Sequence, residues 1–505
     1  MKKMTRILSL LLCLVMVVGA LASCKKQEEE GETSATVATV PDGETQWETD
    51  ENGYVKDTIT DDMKYNGELV RILGWENAKN RTLPEDSGDG KDTVLSAVYA
   101  QRLNVAARLD VKFDVTYINA DGNVAQTRDD FLFEFSTGED KYDLIQTQSL
   151  FPMLAAQQGY LLNLKDQVYP QLEMPWWPDS VSLWEQYGKL YFVANNSSVK
   201  VIDSTTIMFS NTGMITSKGV TDPVELAVDG KWTIDTMLQY AKMFSGEAAS
   251  DTTGKTFGLL LYDYTKTDAL YYAAFNSTVN DNNGVAKIAV SDSSYRQRVN
   301  DYCKKITEAF SNTEFGIAPA NNQYRDNIFN DMTAAFFIAD MEKVSQFRDN
   351  STHAVVPLPK LSDDGEYRTI QSNGYDVWCI PKTNSDGAAL AGVVIEAFAS
   401  SEYRNIAPFY YEKYLRDRYS TSALGAKAFD VIRDSIFSDL GRVAQFTLVN
   451  DKGGLISPEA LWRLCLGNKE GKNPQDRYET VYTEWGAVCA NRLLELQAAL
   501  RDNNR

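Results

Sequence analysis

His353 is the only histidine in this chain of 505 residues. A Ser-His-Asp relay needs an imidazole beside its nucleophile, and most zinc enzymes need two or three. Multi-His zinc sites are therefore excluded, and a relay would have to run through His353 itself. His353 precedes Ala354-Val355-Val356-Pro357 and reads as a structural residue at a strand start. The six cysteines, Cys13, Cys24, Cys303, Cys379, Cys465 and Cys489, show no C-x-x-C spacing, so they form neither a zinc motif nor a disulfide framework. A bridge between Cys465 and Cys489 and a set of buried free thiols both fit the spacing. The chain carries 70 acidic residues, yet no segment isolates two of them as an acid–base pair. What remains is the chemistry of binding. Nine Trp, 26 Tyr and 21 Phe supply flat apolar faces, and Trp75-Glu76-Asn77 sets one beside a carboxylate and an amide.

The elements that position these groups alternate. Leu69 to Leu73 reads as a buried strand ending at Gly74-Trp75. A helix from about Thr93 to Leu109 follows, with Leu95, Val98, Val105 and Leu109 on one face. Val111, Phe113, Val115 and Tyr117 then alternate with polar residues, which is strand period. Strand, helix and strand in succession predict a parallel pair joined by a crossover. Asp143-Leu144-Ile145 reads as a third strand, followed by a helix from Met153 to Gln158. The middle repeats the pattern, with strands at Thr205–Phe209, Phe257–Leu261, Ala334–Ile338, Ala354–Val356 and Val377–Ile380. Trp232 stands before a helix capped by Thr233, and Ser385 is expected to cap another. From there to Arg505 the chain reads mainly helical. This is an α/β layered protein with a helical C-terminal part.

The N-terminus carries a different signal. Lys2, Lys3 and Arg6 precede an apolar run, Ile7 to Leu21, too short for a membrane span. The junction Leu21-Ala22-Ser23-Cys24 resembles the lipobox of bacterial lipoproteins. That resemblance implies lipidation at Cys24, a lipoprotein signal peptide over 1–23 and a location on the outer face of the bacterial cytoplasmic membrane. Two acyl chains hold a protein on a bilayer far better than one. Residues 24–60 are acidic and poor in apolar groups, and read as a disordered tether. The net charge is −20, and removing the signal peptide makes it three units more negative. Such a surface repels phosphate backbones, so no nucleic-acid partner is expected.

Several segments, in order, resemble the extracellular solute-binding proteins of carbohydrate ABC importers, the class containing maltose-binding protein. Asp143-Leu144-Ile145 with Gly159-Tyr160-Leu161-Leu162-Asn163-Leu164 is similar to that family's "D-v-i … G-l-l-x-L" stretch. Gly188-Lys189-Leu190-Tyr191 resembles its "G-K-x-Y" element, and Trp232-Thr233-Ile234-Asp235 its "W-T-w-d" helix start. Phe329 to Phe336, Val355-Val356-Pro357-Leu358-Pro359 and Ser372-Asn373-Gly374-Tyr375 are similar to further family segments. The resemblance spans roughly residues 65 to 470. It implies a two-lobed periplasmic-binding-protein-like fold with a ligand cleft between the lobes. The first lobe would combine 61–203 with 342–383, and the second 204–341 with 384–505. It also implies a non-enzymatic monomer with a carbohydrate ligand, closing by hinge motion and delivering to ABC importer permease subunits. No cofactor or metal is expected.

A pyranose offers a C–H face to an aromatic ring and a rim of hydroxyls to carboxylates and amides. Within the implied cleft the ligand-binding candidates are Trp75, Glu76, Gln148, Tyr262, Asp340, Asn373, Tyr375 and Trp462. Trp176-Trp177 reads as a loop staple, Trp232 as helix-start packing and Trp378 as core. Three other readings compete: an extracellular glycoside hydrolase, a binding protein for a non-sugar solute such as a peptide, and a binding protein that reports to a membrane sensor.

Overall fold

The computed structural model describes residues 47–118, 124–244, 257–261, 266–311, 334–347, 353–416, 422–467 and 477–503. The chain divides into two units, Met1–Tyr54 and Val55–Arg505. Of the first unit, 47–54 are described, and there the Asp50 carboxylate accepts from the amides of Asn52 and Tyr54 to close a turn. Cys24 and the signal segment lie outside the described residues.

The second unit is built on two four-stranded sheets. The first contains β1 (Glu68–Trp75), β2 (Val111–Ile118), β3 (Leu144–Gln148) and β11 (Asp376–Cys379), in the order β11-β3-β1-β2. The second contains β4 (Thr206–Asn211), β5 (Phe257–Leu261), β8 (Ala334–Asp340) and β9 (His353–Val356), in the order β5-β8-β4-β9. Two small pairs complete the strands: β6 (Thr278–Asn280) with β7 (Ala286–Ile288), and β10 (Thr369–Ile370) with β12 (Ile436–Phe437).

The first sheet follows from the sequence as read. Helix α1 (Thr93–Leu109) starts where the Asp92 carboxylate accepts from the amides of Val94 and Leu95. It ends where Asp110 turns left-handed at φ 52°. Its buried Val94, Val98, Val105 and Leu109 cover the sheet, and β1 and β2 pair in parallel along their full lengths. A Cβ on Gly74 would stand 2.9 Å from the side chains of Tyr117 and Val115, so that position admits glycine alone. After β3 comes the short helix α2 (Pro152–Gln157). In the second sheet, β5 and β8 run parallel, and β4 runs antiparallel to both of its neighbours. Helix α3 (Ile234–Lys242) is capped by Thr233 as expected, with Trp232 fully buried against Phe336. Helix α4 (Ser293–Ser311) lies on the connection from β5 to β8, tied to α3 by Lys305 and Asp235 at 2.7 Å.

Three expectations are corrected. Residues 342–383 do not all stay with the first sheet: β11 does, but β9 pairs with β4 in the second. Conversely, helix α5 (Ala388–Ser401), expected in the second lobe, packs on the first sheet. Phe398 lies 5.5 Å from the Phe113 ring and 5.6 Å from the Trp378 ring, and Gln101 donates to the Phe398 carbonyl. Ser385 does not cap α5, since Gly387 takes that position without a side-chain bond. Finally, the tether does not run to residue 60. Asp57 is buried, with its carboxylate between Arg108 and Arg404 and bonded to Ser400. Burial alone would raise its pKa, but these partners hold it below the ordinary value. They stand 51 and 347 residues away in the chain, which is why local composition could not reveal them.

The chain passes between the sheets at Ser204–Thr205 and Gln371–Ser372, which are bridged to each other, and crosses again after α5, where Ile406 and Tyr410 join the core of the second sheet. The C-terminal part is helical and includes α6 (Pro458–Gly467) and α7 (Arg477–Asp502).

Candidate binding site

The topology brings strand ends together at one edge of the first sheet. β1 ends at Trp75 and β3 ends at Gln148. Because β11 is antiparallel to β3, its first residue, Asp376, stands opposite Gln148. Loops beyond the carboxyl ends of parallel strands are where open α/β sheets place ligand groups.

Hydrogen bonds fix this edge. The Gln146 side chain accepts from the Trp75 amide at 3.0 Å and donates to Asp376 at 2.8 Å. Thr82 donates to the same carboxylate at 2.9 Å, and Ser198 approaches its other oxygen at 3.4 Å. Burial nevertheless raises the Asp376 pKa above the ordinary value. The Gln148 amide donates to the Asn373 carbonyl at 2.7 Å, and the Ser149 amide donates to the Tyr375 carbonyl at 3.0 Å. Tyr375 is buried, and its phenol is pushed up to about 12. Lys200, on the short helix Val199–Asp203, sets its ammonium 5.8 Å from the centre of the Trp75 ring. Glu76 points outward and stands 4.0 Å from Lys79.

Trp75 Nε1, Gln371 Oε1 and Asn373 Oδ1 at this edge are among the buried polar atoms without a protein hydrogen-bond partner, a group that also includes core atoms such as Trp232 Nε1 and Tyr478 Oη. On neighbouring segments at strand ends, one such donor and two such acceptors have the chemistry to pair with a polar ligand.

Asp340 ends β8 opposite Thr206 of β4, one strand from the Thr205–Gln371 bridge. Lys266 contacts both its carboxylate oxygens at 2.7 Å, and Thr206 donates at 3.0 Å, so this acid is already neutralised. From the helical part, buried Arg442 donates through Nε to the Gln371 carbonyl at 3.0 Å. Its Nη1 lies 3.4 Å from Asp268 and 3.7 Å from Glu459. Phe446 reaches Phe151 with ring centroids 6.1 Å apart, and Arg128 lies over the Phe446 ring.

Of the residues expected from sequence, the structure gathers Trp75, Glu76, Gln148, Asn373 and Tyr375 at this edge and places Asp340 beside the crossing segments. Trp462 is elsewhere. It is fully buried, stacks on Tyr302 at 5.3 Å and donates to the Thr267 carbonyl, which is the environment of a core residue. Tyr262 lies outside the described residues. Sequence reasoning missed Gln146, Gln371, Asp376 and Arg442. Asp376 left one signal, a carboxylate directly before the apolar run Val377-Trp378-Cys379-Ile380.

Cys303, Cys379, Cys465 and Cys489 are all buried, and Cys489 is a free thiol, so the open question of a Cys465–Cys489 bridge resolves against it. Among the described residues no cluster of His, Cys, Asp and Glu could hold a metal ion. No described helix is long and apolar enough to cross a membrane. A surface depression of ≈ 530 Å³ lined by Val228, Tyr367, Lys427 and Asp430 shares no residue with this edge.

No protein-family profile and no curated protein sequence matches the chain. Solved structures do. A substrate-binding protein of an ABC transporter from Listeria monocytogenes, in complex with cycloalternan, superposes with a TM-score of 0.52 at 12% identity, over 84% of this chain and 99% of that one. The galacto-N-biose-/lacto-N-biose I-binding protein of Bifidobacterium longum, in complex with lacto-N-biose, gives 0.54 at 11%, over 87% and 99%. UgpB of Mycobacterium tuberculosis, in complex with glycerophosphocholine, gives 0.53 at 13%, over 84% and 99%. At such identities the likeness establishes the two-lobed fold, and the ligands named belong to those proteins.

Proposed function

We propose that this protein is an extracellular solute-binding protein that captures a carbohydrate, an oligosaccharide, and delivers it to an ABC importer. It acts as a monomer without chemical turnover, anchored to the outer face of the cytoplasmic membrane through lipid on Cys24. The carrying observation is the set of unpartnered polar atoms, Trp75 Nε1, Gln371 Oε1 and Asn373 Oδ1, at the strand-end edge of this fold. Hydroxyls both donate and accept, so sugar hydroxyls suit the donor and the acceptors alike. The two sugar-bound neighbours support the same reading. Ligand drives closure only if it binds the closed arrangement better than the open one.

Calorimetry against mono- and oligosaccharides, followed by product analysis, tests the proposal. Saturable binding of an unaltered sugar supports it, whereas turnover would indicate a hydrolase. Glycerophosphodiesters belong in the same panel because one neighbour is bound to glycerophosphocholine. Binding to those or to peptides alone would replace the carbohydrate reading. Mass spectrometry of the mature N-terminus tests the anchor, and an unmodified Cys24 would refute it.

A further inference from the structure

Helix α7 has 26 residues, a length of about 39 Å at the α-helical rise. Along most of that length it is held by the second lobe. Arg296 of α4 pairs with Glu479 at 3.2 Å and lies over the Tyr482 ring at 4.4 Å. Arg492 donates to the Val449 carbonyl and pairs with Asp451 at 2.6 Å. Cys489, Leu493 and Leu496 are buried.

Its last turn belongs to the other lobe. Lys189 donates to the carbonyls of Leu500 and Arg501 at 3.3 and 2.7 Å, and the Tyr191 hydroxyl donates to the Leu500 carbonyl at 2.8 Å. The Asn503 amide donates to the carbonyls of Ala156 and Gln157 at 2.9 and 2.8 Å, and Lys382 donates to the Asn503 carbonyl at 3.2 Å. Every one of these partners is built on the first sheet. Ala156 and Gln157 lie on α2, Lys382 follows β11, and Tyr191 is two residues from Val193, which bridges to Trp378. Midway, Gln186 accepts from Gln497 at 2.8 Å and from the Ala286 amide of β7 at 3.1 Å. The last carbonyls of a helix lack partners within it and carry the negative end of its dipole. Here two lysines and a tyrosine of the opposite lobe satisfy that end.

We propose that α7 is an interlobe strap whose last turn is the release point for opening. The inference rests on the hinge-closing reading of the fold. A stiff helix gripped by both lobes cannot accommodate a rotation about the crossing segments 204–205 and 371–372 unless one grip lets go. The first-lobe grip is the releasable one, since apart from the buried Leu500 it consists of separate polar contacts. The second-lobe grip adds a buried apolar face.

The test needs no ligand and so stands apart from the identity of the solute. Spin labels at Lys112→Cys and Lys231→Cys, one on each lobe, report lobe separation in the full chain carrying Cys13→Ser and Cys24→Ser. The variant combines Lys189→Met, Tyr191→Phe and Asn503→Ala. A longer and broader distance distribution than in the unmodified strap supports the proposal. Should the combined variant not fold, Asn503→Ala alone carries the same reading. An unchanged distribution in the folded variant overturns the strap, whatever the protein binds.

Discussion

At the scale of single residues, the structure separates groups that hold the fold from groups left open. Asn373 is half-buried, and its side-chain oxygen has no protein partner. Removing an unpaired acceptor costs the fold little, whereas removing it from a bound ligand loses a hydrogen bond. Asn373→Ala is therefore expected to weaken ligand binding by about 1 kcal/mol, roughly fivefold, while leaving stability within about 0.5 kcal/mol. Calorimetry with the best ligand and urea melts of both proteins check this, and equal affinities would remove Asn373 from the site. Trp462 predicts the opposite. Its ring is fully buried and its indole is bonded, so Trp462→Ala should destabilise by about 3–5 kcal/mol. Binding per folded molecule should be unchanged, and a folded variant that has lost affinity would return Trp462 to the ligand set. Trp75 combines both roles, because its ring is buried while its indole donor is unpaired. Its truncation should lower stability and affinity together.

At the scale of elements, α5 carries a buried acid with a consequence for pH. Glu396 has no exposed surface, and burial pushes its pKa from 4.5 to about 8, outweighing the bond it accepts from the Gln171 amide. Between those values the native protein keeps a proton that the unfolded chain has lost. Stability should therefore fall as pH rises from about 4.5 to about 8, by at most about 1.4 kcal/mol per pH unit from this group. Glu396→Gln keeps the size and the acceptor and should flatten the slope. Urea midpoints of both proteins at about pH 5 and about pH 8 measure it, and parallel slopes would dismiss the assignment. The elements themselves were largely legible. Thr93–Leu109 and Phe257–Leu261 match their expected ranges, because helical periodicity and short apolar runs are local properties. Ser385 shows the limit. A good capping residue does not start a helix where the chain first makes a short turn, as it does at Lys382–Asn384.

At the scale of the whole molecule, stability comes from burial without covalent ties. Cys303, Cys379 and Cys489 are free and buried, Cys465 is buried as they are, and burial pushes the Cys489 thiol up to about 12. A thiol reagent should leave these four untouched in the folded protein and reach all of them on unfolding. A reductant should leave the melting temperature unchanged. A reductant-sensitive melt would contradict the free-thiol state.

The sequence alone determined which metal chemistry lacks its ligands and the alternation of the fold. One histidine excludes a multi-His metal site wherever it lies, and the strand and helix periods are written in neighbouring residues. It also placed Trp75 and Gln148 at strand ends and Asn373 at the Gly374 turn, because strand ends and turns are local signals. Tertiary structure decided which strands share a sheet. It sent β9 to the second sheet and α5 to the first, a matter of pairing and burial between distant segments. It decided that Asp57 is pinned between Arg108 and Arg404, and that Trp462 is core. It also decided which polar atoms stay unpaired. An unpaired atom is defined by everything packed around it, and no local pattern encodes that.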